Sequence, residues 1–185
     1  MTFQLMGERL IIRELTQADL EFAHRIRVEC FGGTDPISAT QEWLDWTVRN
    51  YRALRSLYQP PYGDYAVVHR ASGALVGEVG IVPTVIPWGV LLNAAPEQPP
   101  HRVSPEFGLF WATLPEHQRQ GYAVESARLV IEYLFNIHHA KQIVATTEFN
   151  NLASQRVMQK LGMTLYRNST GEPFWCEVVG VLLNS

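Results

Sequence analysis

Residues 115–126 read Pro-Glu-His-Gln-Arg-Gln-Gly-Tyr-Ala-Val-Glu-Ser, and the fold turns on how they are read. An aromatic, strand-like run with Phe107, Leu109, Phe110 and Trp111 precedes them, and an amphipathic helical pattern from Val124 to Phe135 follows. A strand, a turn with Gln118, Gly121 and Ala123 at fixed offsets, and a helix start suit a phosphate-bearing ligand. The first turn of a helix offers N–H groups without intrahelical partners and a partial positive charge. Gly121 and Ala123 keep bulky side chains from holding a diphosphate off the backbone, and Gln118 and Arg119 add donors. A purely structural turn has the same outline, so the segment alone leaves both readings open. It lacks the Gly-Lys-Ser/Thr ending of a triphosphate loop. Because Gly121 is its sole glycine, it also lacks the three-glycine dinucleotide fingerprint.

Two other segments bear on the choice. Lys141 to Thr147 is rich in β-branched residues and predicts a strand. It leads to Asn151, a natural N-cap, and Ser154 in the first turn of a helix with Val157, Met158 and Leu161 on one face and Gly162 at its end. Near the start, Gly7 to Leu15 predicts a first strand, and Thr16 to Asp19 has the spacing of a capping box with Asp in place of Glu.

Taken together these segments resemble the GNAT acetyltransferase superfamily. Gln118-x-x-Gly121-x-Ala123 resembles its acyl-CoA pyrophosphate loop. Asn151-x-x-Ser154-x-Arg156-Val157-x-x-Lys160-Leu161-Gly162-Met163 resembles its last helix. The opening Arg9-Leu10-x-x-Arg13-x-Leu15-Thr16-x-x-Asp19 resembles the branch that acetylates the N-terminal alanine or serine of ribosomal proteins.

Composition fits a single domain over residues 1–185. The 46% hydrophobic and 18% charged content is that of a globular chain with a sizeable core. No apolar run approaches the ~20 residues of a membrane span, and the N-terminus lacks a signal-peptide pattern. Net charge is −3 without a basic cluster, which argues against a nucleic-acid partner. Cys30 and Cys176 lie far apart without metal-ligand spacing, so a reduced cytoplasmic protein without metal is expected, although sequence alone leaves a disulfide open.

Between the motifs, Asp19 to Cys30 predicts a helix that Phe31 to Pro36 breaks. Ser38 to Gln41 has capping-box spacing and opens a second helix with Trp43, Trp46, Val48 and Tyr51. Tyr65 to His69 and Leu75 to Val82 predict strands around a turn at Ser72 and Gly73. Pro83 to Pro105 holds six prolines yet also Val85, Ile86, Trp88, Val90, Leu91 and Leu92. It reads either as a cover near an acceptor entrance or subunit contact, or as a packed loop without functional consequence. A fourth main strand over about Pro105 to Thr113, a helix from Gln120 to His138, the fifth strand, the Asn151 helix and one or two strands within Phe174 to Leu183 complete an α+β chain. The resemblance makes this a GNAT fold: a mixed, mostly antiparallel sheet flanked by helices and splayed between strands four and five.

The resemblance also implies a chemistry. Acetyl-CoA, as co-substrate, would yield its acetyl group to the direct attack of an amine. Backbone groups of Trp111, Ala112 and Thr113 would pair with the pantetheine and polarise the thioester. Arg119, Gln120, Gly121, Tyr122, Ala123 and Val124, with Gln118, would hold the pyrophosphate, and Asn151 the cofactor arm. Many members place a tyrosine on the last helix to protonate the thiolate. Here Tyr166 falls after that helix, and Ser154, directly or through a water, is the candidate for that role beside its plainer one as a first-turn helix residue. Glu106 and Glu148, at strand ends, are candidate bases, with His101 and His117 behind them; a solvated strand-edge carboxylate is the plainer reading of each.

An α-amine of pKa about 7.7–8.0 costs roughly 1 kcal/mol to neutralise at pH 7, against about 4.6 for lysine. A chain without an obvious base therefore leans toward an α-amine acceptor. A protein N-terminus leads, small amines such as polyamines and aminoglycosides stay open, and the protein would act as a monomer or homodimer. A non-catalytic acyl-CoA-binding module and a structural protein of the same fold are the competing readings.

Overall fold

Strand formation begins earlier than the hydrophobic pattern indicates. In the computed structural model, Gln4–Met6 (β1) pairs antiparallel with Leu10–Glu14 (β2), and the Gly7 N–H donates to the Leu10 carbonyl to close the turn. The structure describes residues 2–91, 103–168, 170 and 172–184. After β2 the Asp19 carboxylate accepts the Thr16 N–H at 2.7 Å, which is the reciprocal arm of the expected capping box. Helix α1 is Leu20–Arg25. The single helix expected as far as Cys30 instead widens into a π-helical turn over Ile26–Cys30.

Helix α2, Ile37–Ser56, starts behind Pro36 in extended backbone, so the capping box expected from Ser38 and Gln41 does not form. Strands β3 (Gly63–His69) and β4 (Leu75–Pro87) follow, then β5 (Val103–Thr113), helix α3 (Tyr122–Asn136) and β6 (Gln142–Thr147). Helix α4 (Leu152–Lys160), β7 (Thr164–Arg167) and β8 (Val178–Leu183) complete the chain. Strand β7 was not expected from its four residues. The segment Phe174 to Leu183 resolves into one 3-10 turn and one strand. The expected loop from Pro83 is a continuation of β4 to Pro87, with Trp88 and Leu91 buried. Residues 92–102, on which the expected cover depends, lie outside the described residues.

The chain forms two compact units, Met1–Ile81 with Trp111–Val130 and Val82–Phe110 with Ile131–Ser185. In the first, β1 to β4 make an antiparallel meander whose registers include Leu5↔Ile12, Ile12↔Val67 and Val67↔Gly77. Leu15, Phe22, Ile26, Leu44, Ala66, Ala112 and Leu114 form its core. The buried Tyr51 hydroxyl joins two layers, accepting the Leu15 N–H and donating to the Asp64 carbonyl. The end of β5 passes so close to β4 that a Cβ on Gly77 would lie 2.2 Å from the Ala112 carbonyl oxygen. Beside it the Leu114 N–H donates to the Val76 carbonyl at 3.0 Å.

In the second unit β5 and β6 pair in parallel at Phe107↔Ile143 and Gly108↔Val144. Strand β8 pairs antiparallel with both β6 and β7. Ile86, Trp88, Leu91, Val144, Cys176, Val179 and Val181 form the core. The strands follow the hydrogen-bonded order β1-β2-β3-β4-β5-β6-β8-β7, mostly antiparallel. This is the α+β class expected from the sequence. Cys30 and Cys176 are free thiols. Among the described residues no helix is long and apolar enough to cross a membrane.

The contact at Gly77 is with backbone, which cannot rotate away. Gly77→Ala is therefore expected to cost about 3 kcal/mol or more, at or beyond the usual overpacking range, read as a lowered midpoint in urea unfolding. An unchanged midpoint would show that β5 has room to move.

Candidate functional site

The segment from Leu114 to Val124 is built to present backbone N–H groups. A 3-10 turn at Pro115–His117 delivers Gln118 in extended conformation. Arg119 and Gly121 then adopt left-handed backbone, with φ of 61° and 84°. For Arg119, which has a Cβ, this conformation costs about 1–2 kcal/mol. Left-handed backbone within a turn is one of the conformations in which successive N–H groups can form a concave surface. The first backbone bond of α3 runs from the Glu125 N–H to the Gly121 carbonyl at 3.1 Å. The N–H groups of Tyr122, Ala123 and Val124 thus precede any intrahelical acceptor. Residues 118 to 121 are exposed.

Side chains from elsewhere in the unit brace this loop. The Arg9 guanidinium donates through Nε to Glu125 at 2.7 Å and through Nη1 to the Gln120 carbonyl at 3.1 Å. It also lies 5.1 Å from the centre of the Tyr122 ring. Glu125 is held in the first turn of α3, where a carboxylate suits the helix dipole. Arg25 donates to Glu116 at 2.8 Å, tying α1 to the start of the loop. The sequence motif contained Arg9, but periodicity could not show that it reaches across 116 residues of chain to Glu125.

The expected site residues are placed as follows. Trp111, Ala112 and Thr113 end β5, with Ala112 buried and its two neighbours half-buried. The Thr113 carbonyl accepts from Gln118 Nε2 at 3.1 Å and Cys30 Sγ at 3.5 Å. The Gln118 amide, expected to donate to a ligand, therefore secures the loop to the strand.

In the second unit Asn151 caps α4, its Oδ1 accepting the Ser154 N–H at 3.0 Å, as its position in the sequence predicts. Ser154 is half-buried. Glu148 follows β6 and is exposed, and its carbonyl accepts from Gln155 Nε2. Glu106 is half-buried in a chain of bonds: Trp88 Nε1 donates to Ser104 Oγ at 2.7 Å, and Ser104 donates to Glu106 at 2.6 Å. His117 lies in the 3-10 turn, and His101 is outside the described residues.

Sequence reasoning missed Glu78. It stands alone among buried residues from Val76 to Ile81 and is 4% exposed. Burial, with help from the negative charge of Asp64, pushes its carboxyl well above the usual range. Burial also pushes Asp64 up to about 6, against the pull of Arg27. The available signal was a charged residue inside an otherwise apolar strand.

Comparison with known proteins adds a family. Residues 9–164 match the model described as "Acetyltransferase (GNAT) domain". YnaD of Bacillus subtilis, an uncharacterized N-acetyltransferase, is 42% identical over 53 residues, 29% of this chain and 31% of its own length. The chain thus spans less than two thirds of that relative. YoaA of the same organism, also an uncharacterized N-acetyltransferase, is 24% identical over 189 residues, 96% of each chain. A solved ribosomal-protein-S5-alanine acetyltransferase from Vibrio fischeri superposes with a TM-score of 0.67 at 13% identity, covering 99% of this chain and 97% of the other, a likeness of fold.

The raised Asp64 carboxyl has a consequence for stability. An unfolded Asp titrates near 3.9, so between about pH 4 and about pH 6 the folded protein holds this proton more firmly than the unfolded chain. Stability from this group is full below about pH 4, declines as pH rises to about 6, and is level above. Thermal melts across this window should show wild-type protein losing stability relative to Asp64→Asn as pH rises. Parallel curves would contradict the shift.

Proposed function

Because the chain belongs to the GNAT acetyltransferase family, we propose that it moves an acetyl group from acetyl-CoA to the α-amine of a protein or peptide N-terminus. Acetyl transfer follows from the family, and the acceptor is our reading. The observation that carries the donor assignment is the loop conformation. Left-handed Arg119 and Gly121 precede a helix whose first N–H groups have no acceptor within the helix. Those groups, from Arg119 to Val124, fit a diphosphate, and the braced end of β5 at Trp111 to Thr113 suits an extended pantetheine. Asn151 is assigned to the cofactor arm.

Ser154 is assigned to hydrogen-bond the leaving sulfur, directly or through one water. Glu106 and Glu148 stand as candidate bases from sequence; the first is engaged by Ser104 and the second is exposed. The α-amine reading is supported by the Arg9 to Asp19 opening and by the low cost of neutralising such an amine at pH 7.

Three measurements test this. Calorimetry should detect acetyl-CoA binding at micromolar to low millimolar ligand, and Gly121→Val, which puts a β-branched residue at a φ of 84°, should weaken it at least tenfold. Thiol release should be faster with peptides beginning in Ala or Ser than with N-blocked lysine peptides or spermidine; the reverse order would remove the α-amine reading. Ser154→Ala should lower turnover about tenfold or more with little change in melting temperature, and unchanged turnover would strip Ser154 of its role.

A further inference from the structure

The first unit contains a second group of ionisable side chains, distinct from the donor loop. On the β3–β4 pair, Glu78 stands opposite Ala66 and Asp64 opposite Gly80, so the two carboxylates share one face and lie diagonally across the ladder. Glu78 is buried, and among the described residues its Oε1 accepts no hydrogen bond. A buried carboxylate oxygen without a donor is costly and calls for an explanation.

Several elements surround this face. The π-helical turn Ile26–Cys30 supplies Arg27, whose charge acts on both carboxylates and whose guanidinium lies 4.7 Å from the centre of the Trp43 ring. Helical turns of this type recur at functional sites. The turn before α1 supplies Asp19, already bonded to both terminal nitrogens of Arg13 at 2.7 and 2.8 Å. Helix α2 supplies the Tyr51 hydroxyl, bonded to backbone. Cys30, on the same π turn as Arg27, donates to the carbonyl of Thr113, the last residue of β5. Glu78 is one of the charges felt by its thiol, together with Glu29, Glu116 and Arg25. Asp64, Arg27 and Cys30 are half-buried, whereas Glu78 is enclosed.

We propose that Glu78 receives the primary ammonium group of the acceptor and takes its proton, with Asp64 as the second carboxylate that draws the cation in. An ammonium supplies the donor that Glu78 Oε1 lacks and the positive charge that two carboxylates on one face call for. This assignment rests on the acetyl-transfer reading above and names the site for its amine.

The chemistry balances without a further reagent. The ammonium gives one proton to the Glu78 carboxylate, leaving a neutral acid and a free amine. The nitrogen lone pair attacks the thioester carbonyl, the C–N bond forms as the C–S bond breaks, and the second N–H proton leaves with the sulfur as thiol. Glu78 then returns its proton to solvent. Burial raises the affinity of Glu78 for a proton, the direction a base in this position needs.

The test uses the full chain, acetyl-CoA and a panel of Ala- and Ser-initiated peptides, an N-blocked lysine peptide and spermidine. With whichever amine the wild type acetylates, Glu78→Gln should lower kcat/KM at least 100-fold and remove the acidic limb of its pH profile. Its affinity for acetyl-CoA should stay within about twofold. Asp64→Asn, at a half-buried position, should raise the KM for the amine at least fivefold, and it decides the matter alone if Glu78→Gln does not fold. Glu78→Gln activity within threefold of wild type, a parallel loss of acetyl-CoA binding, or an unchanged KM in Asp64→Asn would overturn the assignment. A wild type that releases no thiol with any panel amine would overturn the proposed function and this site together. An active wild type with equally active variants would overturn the site alone.

Discussion

A run of backbone N–H groups without helical acceptors at the start of α3 is the constraint that the rest of its unit accommodates. Such groups have no partner inside the helix, and Arg119 adds the cost of left-handed backbone. The loop keeps this shape because neighbours hold every other part of it. Leu114 is hydrogen-bonded to Val76, Gln118 reaches back to Thr113, and Arg9 grips Gln120 and Glu125 while lying against Tyr122. The glycine at 77 lets β5 approach β4 closely enough for the first of these bonds. Local strain in the loop is thus offset by packing in β2, β4 and β5, and the exposed residues 118 to 121 inherit their conformation from buried ones.

The same pattern of cost and compensation recurs around Glu78. A side chain of that polarity in the middle of β4 lowers stability relative to an apolar residue. Asp64 on the same face adds like charge, and Arg27 offsets part of it. Natural chains keep such arrangements where an activity needs a poised proton, and give up stability in return.

Much of this was legible in the sequence because it is written in local rules. Asn151 caps its helix because a short side-chain oxygen reaches the N–H three residues on, and the strand–turn–helix around Gly121 follows from apolar periodicity and one glycine. What escaped depends on partners distant in sequence. The strand Gln4–Met6 exists because β2 offers it an edge. The π turn at Ile26–Cys30 continues a helical pattern that gave no sign of widening. The start of α2 was misjudged because Ser38 and Gln41 have the right spacing, yet Pro36 already fixes the backbone that begins the helix. Glu78 was passed over since strand alternation has no rule for a lone carboxylate within an apolar strand.

The bond between Trp88 and Ser104 carries a consequence for how such a protein can diversify. It joins two points 16 residues apart in sequence, and Ser104 is bonded onward to Glu106 in β5. With its ends pinned in this way, the stretch of chain between them is closed at a free-energy cost that grows only with the logarithm of its length. Leu91, inside this interval, belongs to the core of the second unit, so the Trp88 end is held by packing as well as by this bond. A change in the number of residues between Trp88 and Ser104 therefore adds little to the entropic cost of forming the clamp itself.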